Sequence, residues 1–150
     1  MNKFSLIDMC CFVYDHPKYK PADGKSYCNI AVNAIACVYG FVGFRGMTAN
    51  QMVAVMDQDG FNFDWPNGLE AQLLANRGHL VIAGQKAEPH GHVCVIRPAE
   101  PTFSGKWNEI VPMAMNIGST NSISKGVNYI FKDRPKYYHF KRGFIEGENT

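Results

Sequence analysis

Concentrated charge of either sign is missing from this sequence. Fifteen Lys and Arg stand against 13 Asp and Glu, a formal charge of +2. That balance leaves no electrostatic footprint for nucleic acid, and no local run of Lys or Arg supplies one. Long apolar runs are missing too, so no membrane span is expected. The first 15 residues carry Asp8 within their apolar stretch and show no cleavage pattern. A secretory leader is therefore not expected, and the reading is of a protein made in the cytoplasm. The five cysteines, Cys10, Cys11, Cys28, Cys37 and Cys94, lack any zinc-binding spacing.

What is present is apolar content: 46 % of 150 residues, against 19 % charged. That suits one folded domain spanning 1–150 and argues against long disorder. Helical spacing of Phe4, Ile7 and Cys11 predicts a helix over 3–14, stopped by Pro17. A polar loop leads to a second helix over 28–39, so apolar on nearly all sides that central burial is expected. Gly40 closes it. Thr48 is the expected N-cap of a helix over 49–56. Asn67 with Glu70 reads as a capping box for a helix ending at Gly78. The period then changes. Strands are predicted over 79–84 and 92–97 as a hairpin, then over 110–117 with Pro112 at its start or on an edge, and over 136–141. Residues 57–66, 98–106 and 118–125 read as loops, 127–132 as a short helix or strand, and the tail after Gly143 as frayed. Helices first and an antiparallel sheet after make an α+β layout.

Cys28 differs from the other cysteines. Its upstream neighbours are polar and it opens a helix, where the positive end of the dipole favours thiolate. The other four lie among apolar neighbours and read as small buried hydrophobes. A thiol nucleophile needs a base, and the base needs a group to fix its ring. His92 at a strand start and Asn116 near the end of the next strand follow in a usable order. The expected pair is thiolate and imidazolium, with one ring nitrogen facing sulfur and the other bonded to the Asn116 amide oxygen. The Cys28 N–H would supply part of an oxyanion hole. His16, His79, His90 and His139 read as solvent-facing or hydrogen-bonded histidines.

Tyr27-Cys28-Asn29 at a helix start, Arg45-Gly46-x-x-Ala49-Asn50-x-Met52, Leu80-Val81-Ile82-Ala83-Gly84 and Gly91-His92-Val93-x-Val95-Ile96 follow in order. Together they resemble the first family of type VI secretion amidase effectors. Those are small papain-like peptidoglycan peptidases related to the NlpC-type and CHAP hydrolases. The resemblance implies N-terminal helices packed on an antiparallel sheet, with nucleophile, base and third polar group at Cys28, His92 and Asn116. It also implies a cleft with Tyr27, Arg45 and Asn50 as candidate substrate contacts, although Arg45 as an exposed residue and Asn50 as part of a first helical turn read equally well. Trp65 and Trp107 are further candidates for its walls, or are simply part-buried loop aromatics. Asp57, Asp59 and Asp64 lack the spacing of a calcium loop.

The implied reaction is cleavage of an amide in the peptide stem of peptidoglycan, at the γ-D-glutamyl–diaminopimelate bond. No metal or organic cofactor is expected. The implied settings are an antibacterial effector with an immunity protein, or a phage lysin or virion-associated peptidase with a tail component as partner. Either would act as a monomer in the bacterial periplasm or cell wall. A non-catalytic wall-binding or virion module on the same fold is the rival of another class.

Overall fold

Reciprocal caps start three of the helices. Ser5 and Asp8 cap α1 (Leu6–Asp15), Thr48 and Gln51 cap α3 (Ala49–Gln58), and Asn67 and Glu70 cap α4 (Gly68–Asn76). In each, the cap side chain takes the third backbone N–H and the third side chain returns to the cap N–H. α2 (Cys28–Val38) has no side-chain cap bond. Its opening N–H groups are thereby left to other partners. Glycines with positive φ, Gly40 at 95° and Gly78 at 88°, follow α2 and α4.

The computed structural model describes residues 5–22 and 24–144. The readings at residues 3 and 4 and along the tail from 145 onward lie outside them. The remaining elements are β1 (Phe63–Asp64), β2 (His79–Gln85), β3 (His92–Ile96), β4 (Thr102–Ser104), β5 (Glu109–Val111), β6 (Met113–Asn116), β7 (Ser122–Gly126), α5 (Val127–Ile130) and β8 (Lys136–Phe144). Six strands form an antiparallel sheet in the order β1-β8-β2-β3-β6-β7, and β4 pairs with β5 apart from it. Helices and an antiparallel sheet are present as the element order predicts.

Helices cover both faces of this sheet. Neighbouring side chains on a strand point to opposite faces. On β8, Tyr137 lies against Gly68 at the start of α4, while the Tyr138 hydroxyl donates to Asp57 of α3 at 2.6 Å. Double cover is why Leu80–Ala83 and Val93–Ile96 are unbroken apolar runs, all buried, rather than alternating ones. Buried Gln72 joins α4 to the sheet. Its amide nitrogen donates to the Arg97 carbonyl at 2.8 Å, and its oxygen accepts from the Met113 N–H at 2.8 Å.

Four expectations are corrected. The strand read over 110–117 is two strands. Pro112 has no N–H to continue a ladder, so the chain changes partner there: Val111 pairs with Thr102, and Ala114 pairs with Ile96. The loops read over 57–66, 98–106 and 118–125 hold β1, β4 and β7, short strands defined by distant partners rather than by their own pattern. α2 is buried only on one side, through Cys28, Ala31, Val32, Ile35 and Ala36, whereas Ile30 and Val38 are exposed. Cys37 is on its exposed side, Cys11 is half-buried, and only Cys10 and Cys94 fit the buried-hydrophobe reading.

Candidate active site

α2 brings Cys28 to the end of the sheet where β2 ends and β3 begins. The Cys28 side chain lies by the backbone N–H of Val93, the residue after His92, and by the N–H groups of Asn29 and Cys28 itself. The last two are donors that an uncapped helix start leaves open, and Val93 adds one from β3. Cys28 is only 8 % exposed. Access comes through a groove of about 600 Å³ whose walls include Lys25, Tyr27, Thr48, Asn50, His90 and Gly91.

His92 and Asn116 meet across β3 and β6. His92 Nε2 is 2.5 Å from Asn116 Oδ1. The Asn116 amide nitrogen donates to the Thr120 carbonyl at 3.3 Å, which fixes which end of the amide faces the ring. Oδ1 can only accept, so Nε2 carries the proton and Nδ1 is left as the basic nitrogen. The turn that holds Asn116 is itself tied down. Asn121 accepts from the Gly118 N–H at 3.0 Å and donates to the Tyr19 carbonyl at 3.0 Å. Phe131, just after α5, lies beside the imidazole with ring centroids 5.4 Å apart.

Burial governs the ionisation of both groups. It pushes the Cys28 thiol up from its ordinary value, and the three N–H donors pull back without reversing it. It pushes the His92 imidazole down, opposed by the bond to Asn116. Both directions favour the uncharged forms, a thiol and a neutral imidazole. Burial thereby works against the thiolate–imidazolium pair expected from the helix start. No hydrogen bond joins Cys28 to His92 among the described residues, a common condition before substrate closes a site.

The other sequence candidates fall as follows. Tyr27 is the residue before α2 and walls the groove. Asn50 also walls it, but its amide is bonded on both sides to Ala87, donating to the carbonyl at 2.9 Å and accepting from the N–H at 3.1 Å. It thereby holds the β2–β3 loop. Arg45 is exposed in the turn before α3, outside the groove lining. That turn is drawn toward α2 by Asn29, which donates to the Met47 carbonyl at 2.9 Å. Trp107 is buried, in the turn that joins β4 to β5. His79 and His139 are bonded to each other at 3.1 Å, and His139 to Asp64 at 3.0 Å, at the far end of the sheet. The sequence reading passes over Lys25 and takes Thr48 only as a helix cap and His90 only as a solvent-facing or hydrogen-bonded histidine, although all three flank the motifs around Cys28, Asn50 and His92. Nothing local marks Phe131.

No protein-family model matches the chain. Over 141 residues it is 28 % identical to a Pseudomonas aeruginosa protein named peptidoglycan amidase Tse1, a match covering 89 % of this chain and 87 % of that protein. The chain is similar to a peptidoglycan amidase. No helix among the described residues is long and apolar enough to cross a membrane.

Proposed function

We propose that this protein is a cysteine peptidase of peptidoglycan, built as a single papain-like domain. The observation that carries the reading is the His92–Asn116 bond, set beside a buried cysteine that opens onto a groove. In this reading Cys28 attacks the carbonyl carbon of a stem-peptide amide. His92 Nδ1 takes the thiol proton as the S–C bond forms. It hands that proton to the departing amine as the C–N bond breaks. Water then attacks the thioester, His92 accepts its proton, and the proton returns to sulfur as the C–S bond breaks. Asn116 keeps Nε2 protonated and the ring in plane. The Cys28 N–H supports the oxyanion.

The bond cut is the γ-D-glutamyl–diaminopimelate amide, as the motif resemblance implies. Among the described groove residues Lys25 is the cation and no side chain is acidic, which suits a substrate rich in free carboxylates. In this reading Lys25, rather than the candidate contact Arg45, meets a substrate carboxylate. The setting is that of an antibacterial effector with an immunity protein as its cognate partner. Purified sacculi digested with reduced enzyme and resolved by chromatography test this reading. New muropeptides that disappear with Cys28→Ala support it, and no release by reduced, folded enzyme overturns it.

A further inference from the structure

The end of the sheet that carries His92 holds a second cavity. Register places it: Gln85 of β2 faces His92 of β3, and Gly84 faces Lys136 at the start of β8. Two inter-strand spacings, about 10 Å, separate the two outer rows. Beside Lys136 a cleft of about 740 Å³ opens, with Trp65 and Tyr137 in its walls and Asp57, Asn67 and Glu109 among its polar groups. Trp65 is 52 % exposed, and its indole N–H donates to the Met56 carbonyl at 3.0 Å. That bond fixes the ring while half the residue stays open to solvent. The polar groups are fixed as well. Asp57 accepts from the Tyr138 hydroxyl at 2.6 Å and from Lys136 at 3.4 Å, and Glu109 is paired with Arg134.

The β2–β3 loop stands between the cleft and the candidate active site. A smaller cavity shares Asp57 and Lys136 with the cleft and reaches Gln85 and Lys86, where the β2–β3 loop begins. The other limb of that loop, Pro89 to Gly91, walls the Cys28 groove. An aromatic wall beside preset carboxylate, amide and ammonium groups matches the two sides of a pyranose. The C–H face of the sugar stacks on the ring, and its hydroxyl and acetamido groups bond the polar atoms.

We propose that the Trp65–Tyr137 cleft is a saccharide subsite that holds the N-acetylhexosamine strand of the wall while its peptide stem reaches Cys28. The inference rests on the peptidoglycan reading and names a second part of the substrate. Three extended residues span about 10 Å, the separation of the His92 and Lys136 rows.

The test is a titration of the Cys28→Ala protein with N-acetylglucosamine tetramer, read by tryptophan fluorescence. Trp107 is 9 % exposed, so the exposed Trp65 dominates any response. A saturable change, with tetramer binding measured in parallel by calorimetry and lost in Trp65→Ala and in Trp65→Leu, which keeps bulk without a ring, supports the subsite. In parallel, Trp65→Ala should lower kcat/KM on intact sacculi about tenfold relative to its kcat/KM on glycan-free stem peptide, a difference of about 1.4 kcal/mol. No fluorescence change up to about 10 mM tetramer, weaker than any useful affinity, overturns the proposal. Failure of the hydrolase reading looks different: wild-type enzyme cuts neither substrate, while the titration still reports on the cleft.

Discussion

Asn116 turns its amide oxygen to His92 Nε2 at 2.5 Å while its amide nitrogen is held by the Thr120 carbonyl. One side chain thereby sets both the tautomer and the plane of the imidazole. A hydrogen bond to a charged group contributes about 1.5–3 kcal/mol. Asn116→Ala should therefore lower kcat by roughly 10- to 100-fold with little change in KM. Asn116→Asp keeps the acceptor and should retain more activity than Asn116→Ala. Steady-state kinetics on a stem peptide measure this, and equal activity in wild type and Asn116→Ala would remove Asn116 from the account.

Burial of both reacting groups predicts the pH behaviour. His92 titrates below its ordinary 6.5, so its basic form persists into mild acid, and activity should fall only as pH drops through that lowered value. Cys28 titrates above its ordinary 9.0. Alkylation of Cys28 by iodoacetamide should then climb about tenfold per pH unit up to and beyond pH 9, following the thiolate fraction. A plateau of reactivity below pH 7 would instead reveal a standing thiolate–imidazolium pair.

Gly91 lies under the Asn50 clamp on the β2–β3 loop. A Cβ there would stand 2.1 Å from Asn50 Oδ1 and 2.7 Å from the Gln85 carbonyl oxygen. Gly91→Ala should destabilise the fold by about 1–3 kcal/mol, as overpacking does. The same substitution in an Asn50→Ala background should cost less, because the nearest clash is gone. Denaturant unfolding of the four proteins in the cycle measures the coupling, and strict additivity would contradict it.

Gln72 makes a similar kind of link away from the site. Replacing it with Leu leaves the Arg97 carbonyl and the Met113 N–H without their present partner. Each such buried group costs about 1–3 kcal/mol. A drop in melting temperature of roughly 5–15 °C is expected for a chain of this size. A loss below about 1 °C would show that α4 does not depend on this bridge.

The parts of the fold legible in the sequence are those that local chemistry decides. Asn67 with Glu70, Thr48, Gly40 and Gly78 mark helix ends because caps act within one turn. Residues 80–83 and 93–96 mark central strands because both faces are covered. β1, β4 and β7 escape such reading because pairing across long separations defines them: Phe63 stands opposite Phe140. The site divides in the same way. Chain order places His92 and Asn116 on adjacent strands. Phe131 against the imidazole, the Asn50–Ala87 clamp and the raised thiol depend on tertiary burial, which no local pattern records.

The most direct measurement is mass analysis of the peptides released from purified sacculi by wild-type and Cys28→Ala protein, both confirmed as folded. The account predicts wild-type products with a new free amine on diaminopimelate and a new γ-carboxyl on D-glutamate, and no such products from Cys28→Ala. Products cut elsewhere, between sugars or at the sugar–peptide amide, or release that survives Cys28→Ala, would contradict it.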